Sequence, residues 1–320
     1  MEHIEKNKFQ WIGPDPENRE GISRPSTTFL RDAMGRFAKN KIAIVCAAMI
    51  ILMILGSIII PFFSPFEGRE QHYSHTNAGV WTACEQLKDA DGNPELHHHV
   101  FGTDTLGRDL FTRVWEGGRV SLFIAFAAVF INFIVGIIYG GISGYFGGTL
   151  DNIMMRVVEV INGIPYLIII VLLMMILPPG LWTIVIAYAV TGWTGMARLV
   201  RGQIISLKEQ EFVIAAKAMG GSAGRIIARH LIPNTLSVVI VNVTLAIPSA
   251  IFTEAWLSYL GLGVPVPLSS WGTLAQAGQT AFQTYPLQLV VPAAAICITM
   301  LSFNLLGDGL RDAFDPKLRK

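Results

Sequence analysis

The chain has 320 residues, 52% of them hydrophobic and 15% charged, with a formal net charge of +1. Soluble domains carry about 25% charged residues, so this composition excludes an ordinary soluble enzyme and points to an all-α polytopic membrane protein. The near-neutral balance supplies no basic face for nucleic acid.

Residues 1–25 are polar and rich in Gly and Pro, and read as a loosely ordered tail. Over 26–41, Phe29, Leu30, Ala33, Met34, Phe37 and Ala38 recur at helical spacing, with Arg31, Asp32, Arg36, Lys39 and Lys41 on the other side. That pattern predicts an interfacial helix, or a plain juxtamembrane stop signal. Residues 42–63 are uncharged and long enough to cross about 30 Å of hydrocarbon. The run starts too far from the N-terminus for an ordinary signal peptide, so it is expected to stay as a first span.

Residues 64–119 form one polar insertion with five Lys/Arg, nine Asp/Glu and five of the seven histidines. His97-His98-His99, with His72, His75 and Cys84 nearby, could bind a metal. Adjacent histidines point different ways on most backbones, so the expected reading is a solvated loop without metal. Cys46 and Cys297 lie in apolar runs and Cys84 in this polar one, so no disulfide framework is expected.

A largely apolar core follows over 120–310. Residues 120–146 are a second span, with glycines at 136, 140, 144 and 148, four residues apart. Gly136, Gly140 and Gly144 therefore read as a face for close helix packing. Residues 147–157 read as a polar turn. Residues 158–197 are too long for one helix, and Pro178-Pro179-Gly180 divides them into a third and a fourth span. A basic segment over 203–233 cannot lie in hydrocarbon and must be in water on one face. It reads as two short helices. The first ends at Gly220-Gly221, where a left-handed residue needs no Cβ. Ser222 can cap the second, which carries Arg225 and Arg229 on one face. Ala215 and Ala216 leave a low-profile surface suited to docking into a groove on another protein.

Residues 234–256 are a fifth span with Pro248 inside it. A glycine- and proline-broken stretch then carries a short re-entrant or interfacial helix near 271–283. Residues 286–306 are a sixth span, and 311–320 a charged tail. An N-terminus inside places 19 Lys/Arg inside against five outside, so both termini and the 203–233 loop are expected in the cytoplasm. Polar groups within spans need a reason. Glu159 is expected to reach headgroups or Arg156. Asn132 and Asn242 are candidates for a translocation path, or simply bond between helices, and Glu254 is a candidate for the same path, or for pairing with a partner subunit. Gly141-Ile142-Ser143-Gly144 matches the short motif of intramembrane serine proteases, but the apolar spans contain no histidine to serve as base. The chain also lacks HExxH, CxxC and GxxxxGK[ST], so no catalytic residue is assigned and ATP hydrolysis is not expected of it.

The spacing Ala215-Ala216, Gly220, Leu231-Ile232-Pro233 resembles the "EAA" loop of permease subunits of bacterial ATP-binding-cassette (ABC) importers. Ile214 stands where the general motif has Glu, and His230 where it often has Ile. Glu211-Phe212-Val213 and the His230…Pro233-Asn234 ending are similar instead to the peptide/nickel branch. Phe101-Gly102-Thr103-Asp104…Gly107-Arg108-Asp109, Gly261-Leu262-Gly263…Ser270-Trp271-Gly272 and Phe303-Asn304-Leu305-Leu306-Gly307-Asp308 extend the likeness across residues 26–320. It is to the "C"-type dipeptide/oligopeptide permeases.

The resemblance implies a type I importer permease fold of six transmembrane helices with a cytoplasmic coupling helix. Glu211, Ala215, Ala216, Gly220, Ser222 and Arg225 would contact the ATPase. It further implies a second homologous permease, two ABC ATPase subunits that bind ATP and Mg, and an extracytoplasmic peptide-binding protein. This chain would bind no cofactor and sit in the bacterial cell membrane. Import of nickel or a metal chelate is the alternative within the family. A membrane enzyme or a passive channel lies outside it, and a channel would need no Gly-hinged docking hairpin.

Overall fold

One helix sets the architecture. In the computed structural model, which describes residues 29–88 and 94–315, α3 runs from Leu110 to Phe146, 37 residues or about 55 Å. It begins ten residues earlier than the apolar pattern suggested. Asp109 caps it, its carboxylate accepting from the Thr112 N–H at 2.7 Å. Arg113, Glu116 and Arg119 belong to this helix and not to a loop.

Ahead of α3 come α1 (Phe29–Phe37) and α2 (Lys41–Phe63). The tail over 1–25 lies outside the described residues. α2 packs on α3 and on the last helix, α11 (Leu287–Phe314). Ile42, Val45, Leu52, Phe62 and Phe63 remain exposed on α2, as suits a lipid-facing surface. Between α2 and α3 lies a cap. It holds a short helical turn, Tyr73–His75, and two antiparallel strands, β1 (Thr82–Lys88) and β2 (Pro94–His99). The histidine triplet is not a solvated loop. It lies on β2, where side chains alternate: His98 stacks on Trp81, and His99 is fully buried. Cys84 on β1 is buried as well.

Beyond α3 the expected polar turn at 147–157 is a helix, α4 (Gly148–Gly163), followed by α5 (Tyr166–Ile176). The two are bent by 82°. Pro165 causes the break, because Ile164 before it must leave the helical region and sits at φ −92°, ψ 128°. The third span is therefore a broken one. Arg156 reaches Glu159 at 2.7 Å on the exposed face of α4.

α6 (Leu181–Leu207) lies along α3, and α7 (Glu211–Ala218) and α8 (Ala223–Ile226) lead into α9 (Ile232–Leu257). α10 (Trp271–Ala281) is wedged among α3, α9 and α11. Trp271, fully buried, donates its indole N–H to the Val114 carbonyl at 2.8 Å. α11 continues as helix through Phe314, past the point where the charged tail was expected to begin. Residues 316–320 lie outside the described residues. Among the described residues, five helices are long and apolar enough to cross a membrane, and the α4–α5 pair makes a sixth if the broken element crosses.

The α7 hairpin and the helices that carry it

The first helix of the hairpin is closed by backbone chemistry. Gly220 adopts φ +79°, its N–H donating to the Lys217 carbonyl at 2.9 Å, while the Gly221 N–H donates to Ala216 at 3.0 Å. These are the paired bonds of a Schellman ending. Gly220 is required by its backbone angle and Gly221 by space, since a Cβ there would lie 2.8 Å from the Ala216 carbonyl oxygen.

The hairpin differs from the sequence reading in four ways. α6 runs to Leu207, so the loop starts five residues after Gln203. Ser222 occupies the N-cap position of α8, but its side chain makes no capping bond. The second helix is not separate: α8 passes through one wide turn, Ile227–Leu231, directly into α9. Pro233 is the physical reason. It has no N–H to give, its ring crowds the carbonyl four residues back, and a wide turn makes the room. Finally, Ala215 and Ala216 do not share a surface. Ala215 is exposed, while Ala216 is buried with Val213, Ile226 and Leu231 against Ile204 and Val200 of α6 and Val239 of α9. Helical geometry separates neighbours by about 100°, so two adjacent alanines cannot both face one groove.

The outward face around Ala215 also carries large apolar side chains. Phe212, Ile214 and Met219 are exposed, Met219 at 81%, around Ala215. Glu211, Lys217, Arg225 and Arg229 surround them in sequence and are exposed too. The available signal was Ile214 itself, an apolar residue in a polar loop. Exposed apolar residues interspersed with charges are the composition that protein-docking surfaces share.

Polar contacts tie this face to the spans. Arg201 on α6 forms a two-pronged pair with Asp151 on α4, both bonds 2.6 Å. Ser143 of α3 donates to the same carboxylate. Lys208 donates to the Gly144 carbonyl at 3.1 Å, and the Lys217 ammonium lies 5.2 Å from the Tyr145 ring centre.

The glycine face lies directly beneath. A Cβ at Gly136 would meet Met196 at 2.6 Å, one at Gly140 the Ala197 carbonyl oxygen at 2.4 Å, and one at Gly144 the Arg201 carbonyl oxygen at 2.9 Å. α3 and α6 therefore touch backbone to backbone. Gly148 is not part of the face, since it follows the break at Gly147 and has open space around it.

The three path candidates have other surroundings. Asn132 is buried, its amide against Gly192, where a Cβ would lie 2.2 Å from the amide nitrogen. Asn242 is half-buried and donates to its own helix at Val238, 2.9 Å away. Glu254 is 1% exposed and turned into the chain, accepting from Ser121 and Ser258 at 2.8 Å each. The Trp271 backbone N–H donates in turn to the Ser121 hydroxyl at 3.1 Å. A buried carboxylate needs such partners, and here it links α3, α9 and α10.

Comparison with known proteins places this geometry. Residues 136–320 match the family described as binding-protein-dependent transport system inner membrane component, and residues 28–79 match the N-terminal transmembrane domain of oligopeptide transport permease C. The chain belongs to the first of these families, the permease subunits of ABC importers. Among curated relatives, it is 48% identical to the oligopeptide transport system permease protein OppC of Bacillus subtilis, over the full length of both. It is 45% identical to the dipeptide transport system permease protein DppC of the same organism, covering 97% of this chain and 94% of the relative. In fold it is similar to a solved inward-facing MetNI methionine ABC transporter, with a TM-score of 0.51, 18% identity, and coverage of 62% of this chain and 94% of that one. That likeness supports the type I importer permease fold.

Proposed function

We propose that this permease imports dipeptides or oligopeptides by ATP-driven alternating access, with α7 as its coupling helix. The observation that carries the proposal is the two-sided hairpin. Its outer side is an apolar plate of Phe212, Ile214, Ala215 and Met219, and its inner side is locked into α6 and α9 by Val213, Ala216, Ile226 and Leu231. A push on the plate is therefore a push on two spans. The names of the full-length relatives support a peptide as cargo.

In this reading two ABC ATPase subunits bind ATP and Mg, and one docks on the plate. A second, homologous permease completes the pore, and an extracytoplasmic binding protein delivers the peptide. The chain catalyses no reaction itself. The lysine and arginine bias supports a cytoplasmic position for the hairpin and both termini.

The test is uptake by vesicles holding the complete complex, offered labelled di-, tri- and longer peptides and, in parallel, nickel. ATP-dependent peptide accumulation without nickel is the expected result. Accumulation of nickel alone would overturn the peptide reading. A cysteine introduced at the exposed Ser222 should react with an impermeant maleimide only from the cytoplasmic side. Strong labelling on intact cells would reverse the orientation.

A further inference from the structure

A separate cluster lies at the other end of α3 from the hairpin. We propose that His75, Cys84 and His99 form a binding site for a divalent metal of the zinc class, with Asp109 as the residue that positions His99. Thr82 of β1 is paired with His99 of β2, and Cys84 with His97, so Cys84 and His99 are diagonal neighbours on one sheet face. The turn Tyr73–His75 brings His75 to the same place. One ligand atom from each residue lies within 4.8 Å of the other two. Tetrahedral zinc holds its N and S ligands roughly 3.5 Å apart, so small side-chain rotations close the site.

His99 carries the argument. It is fully buried, and its Nδ1 lies 2.9 Å from Asp109 Oδ1. The other Asp109 oxygen already accepts from the Thr112 N–H and hydroxyl, at 2.7 and 2.8 Å. The carboxylate therefore holds the proton on Nδ1 and leaves Nε2 as a bare lone pair. That Nε2 is buried and has no hydrogen-bond partner. An orphaned buried nitrogen is costly, and a metal ion would satisfy it. Carboxylate, imidazole, metal is the arrangement in which an outer residue fixes the tautomer of a ligand histidine.

The surroundings fit the same ion. Cys84 is buried, and Phe66 stacks on the His99 ring at 4.1 Å, which keeps the site dry. Two imidazoles and a thiol suit zinc, whereas calcium and magnesium take oxygen ligands. On binding, the Cys84 S–H bond breaks, a sulfur–metal bond forms and the proton passes to solvent. Affinity therefore falls as pH falls. Because Asp109 also caps α3, the ion would clasp the strands of the cap to the start of that helix.

The site does not depend on what the permease transports, and its test does not measure transport. Purified complex is stripped with chelator, then titrated with Co2+ and with Zn2+ against a chromophoric indicator. One ion per chain and a thiolate-to-Co2+ charge-transfer band are expected. Cys84→Ser should abolish the band and weaken Zn2+ at least about 100-fold. Asp109→Asn should weaken it about 10- to 100-fold, as loss of an outer-shell partner does. His98→Ala, on the opposite strand face, should change neither. If Cys84→Ser fails to assemble by gel filtration, His75→Ala at a half-exposed position should show the same loss of Zn2+. A wild-type complex without the band, or Zn2+ binding unchanged in assembled Cys84→Ser or His75→Ala, would overturn the proposal and leave an adventitious ion only.

Discussion

The two ends of α3 are held by different physics. At the cap, an irregular backbone is fastened by directional polar bonds. The Asp104 carboxylate accepts from the N–H groups of Leu106 and Arg108 at 2.9 and 3.0 Å, and pairs with Arg108 and with Arg113 of α3. Gln288 of α11 donates to Asn77 and to the Thr103 carbonyl, at 2.9 and 3.0 Å. At the hairpin end, α3 presents glycines laid on the α6 backbone, and the polar contacts of Ser143 and of the Gly144 carbonyl supplement that close approach. Loop carbonyls and N–H groups need partners wherever they are buried, so the cap spends charges on them. Regular helices satisfy their own backbone, so close approach alone can hold them in lipid.

The largest effect that separates the two ends is expected at the cap. Asp104→Ala leaves two arginines and two backbone donors without their shared acceptor. Removing one member of a buried pair costs roughly 3–5 kcal/mol, so the variant complex should melt far below wild type in detergent. Unchanged melting would mean that the cap is held by something else. Next is Gly140→Leu. Overpacking costs about 1–3 kcal/mol, and the upper end is expected because the contacts at 2.4 and 3.0 Å are backbone atoms of Ala197 and Arg201. Assembled complex should drop on gel filtration, and normal assembly would show that this contact has slack.

A matched pair sharpens the comparison within the hairpin. Ala216→Trp forces a large ring into a filled core and should reduce folded permease by the same overpacking penalty. Ala215→Trp, one residue earlier and exposed, should leave the amount of permease unchanged yet weaken pull-down of the ATPase. Equal behaviour of the two would contradict the two-sided hairpin. The smallest effect is expected at Arg156→Ala on α4. The exposed pair with Glu159 is worth a few tenths of a kcal/mol, and melting should not move measurably.

Some of this was legible in the residues. Glycines four apart announced a close-packed face, and Gly220-Gly221 announced a helix ending, because glycine spacing reports backbone geometry directly. Other features were hidden behind polarity. Arg113, Glu116 and Arg119 read as loop because hydropathy senses solvent and not hydrogen-bonded turns. Pro165 was overlooked inside an uncharged run, although the residue before a proline leaves the helix. The inward turn of Ala216 was beyond reach in an eight-residue helix with buried residues at only two positions. His99 needed the period of a strand, which a triplet of identical residues does not display.

The wide turn at Ile227–Leu231 also has a meaning for phase. A turn of this kind holds one residue more than an α-helical turn, and each residue rotates a helix by about 100°. The aim of the outward face around the α9 axis is therefore set by one surplus residue. Deleting Ala228 would keep every plate residue while turning the plate to a new compass bearing. Insertions and deletions here act as gear changes between the hairpin and its span, and a partner fitted to one bearing would not engage at the next.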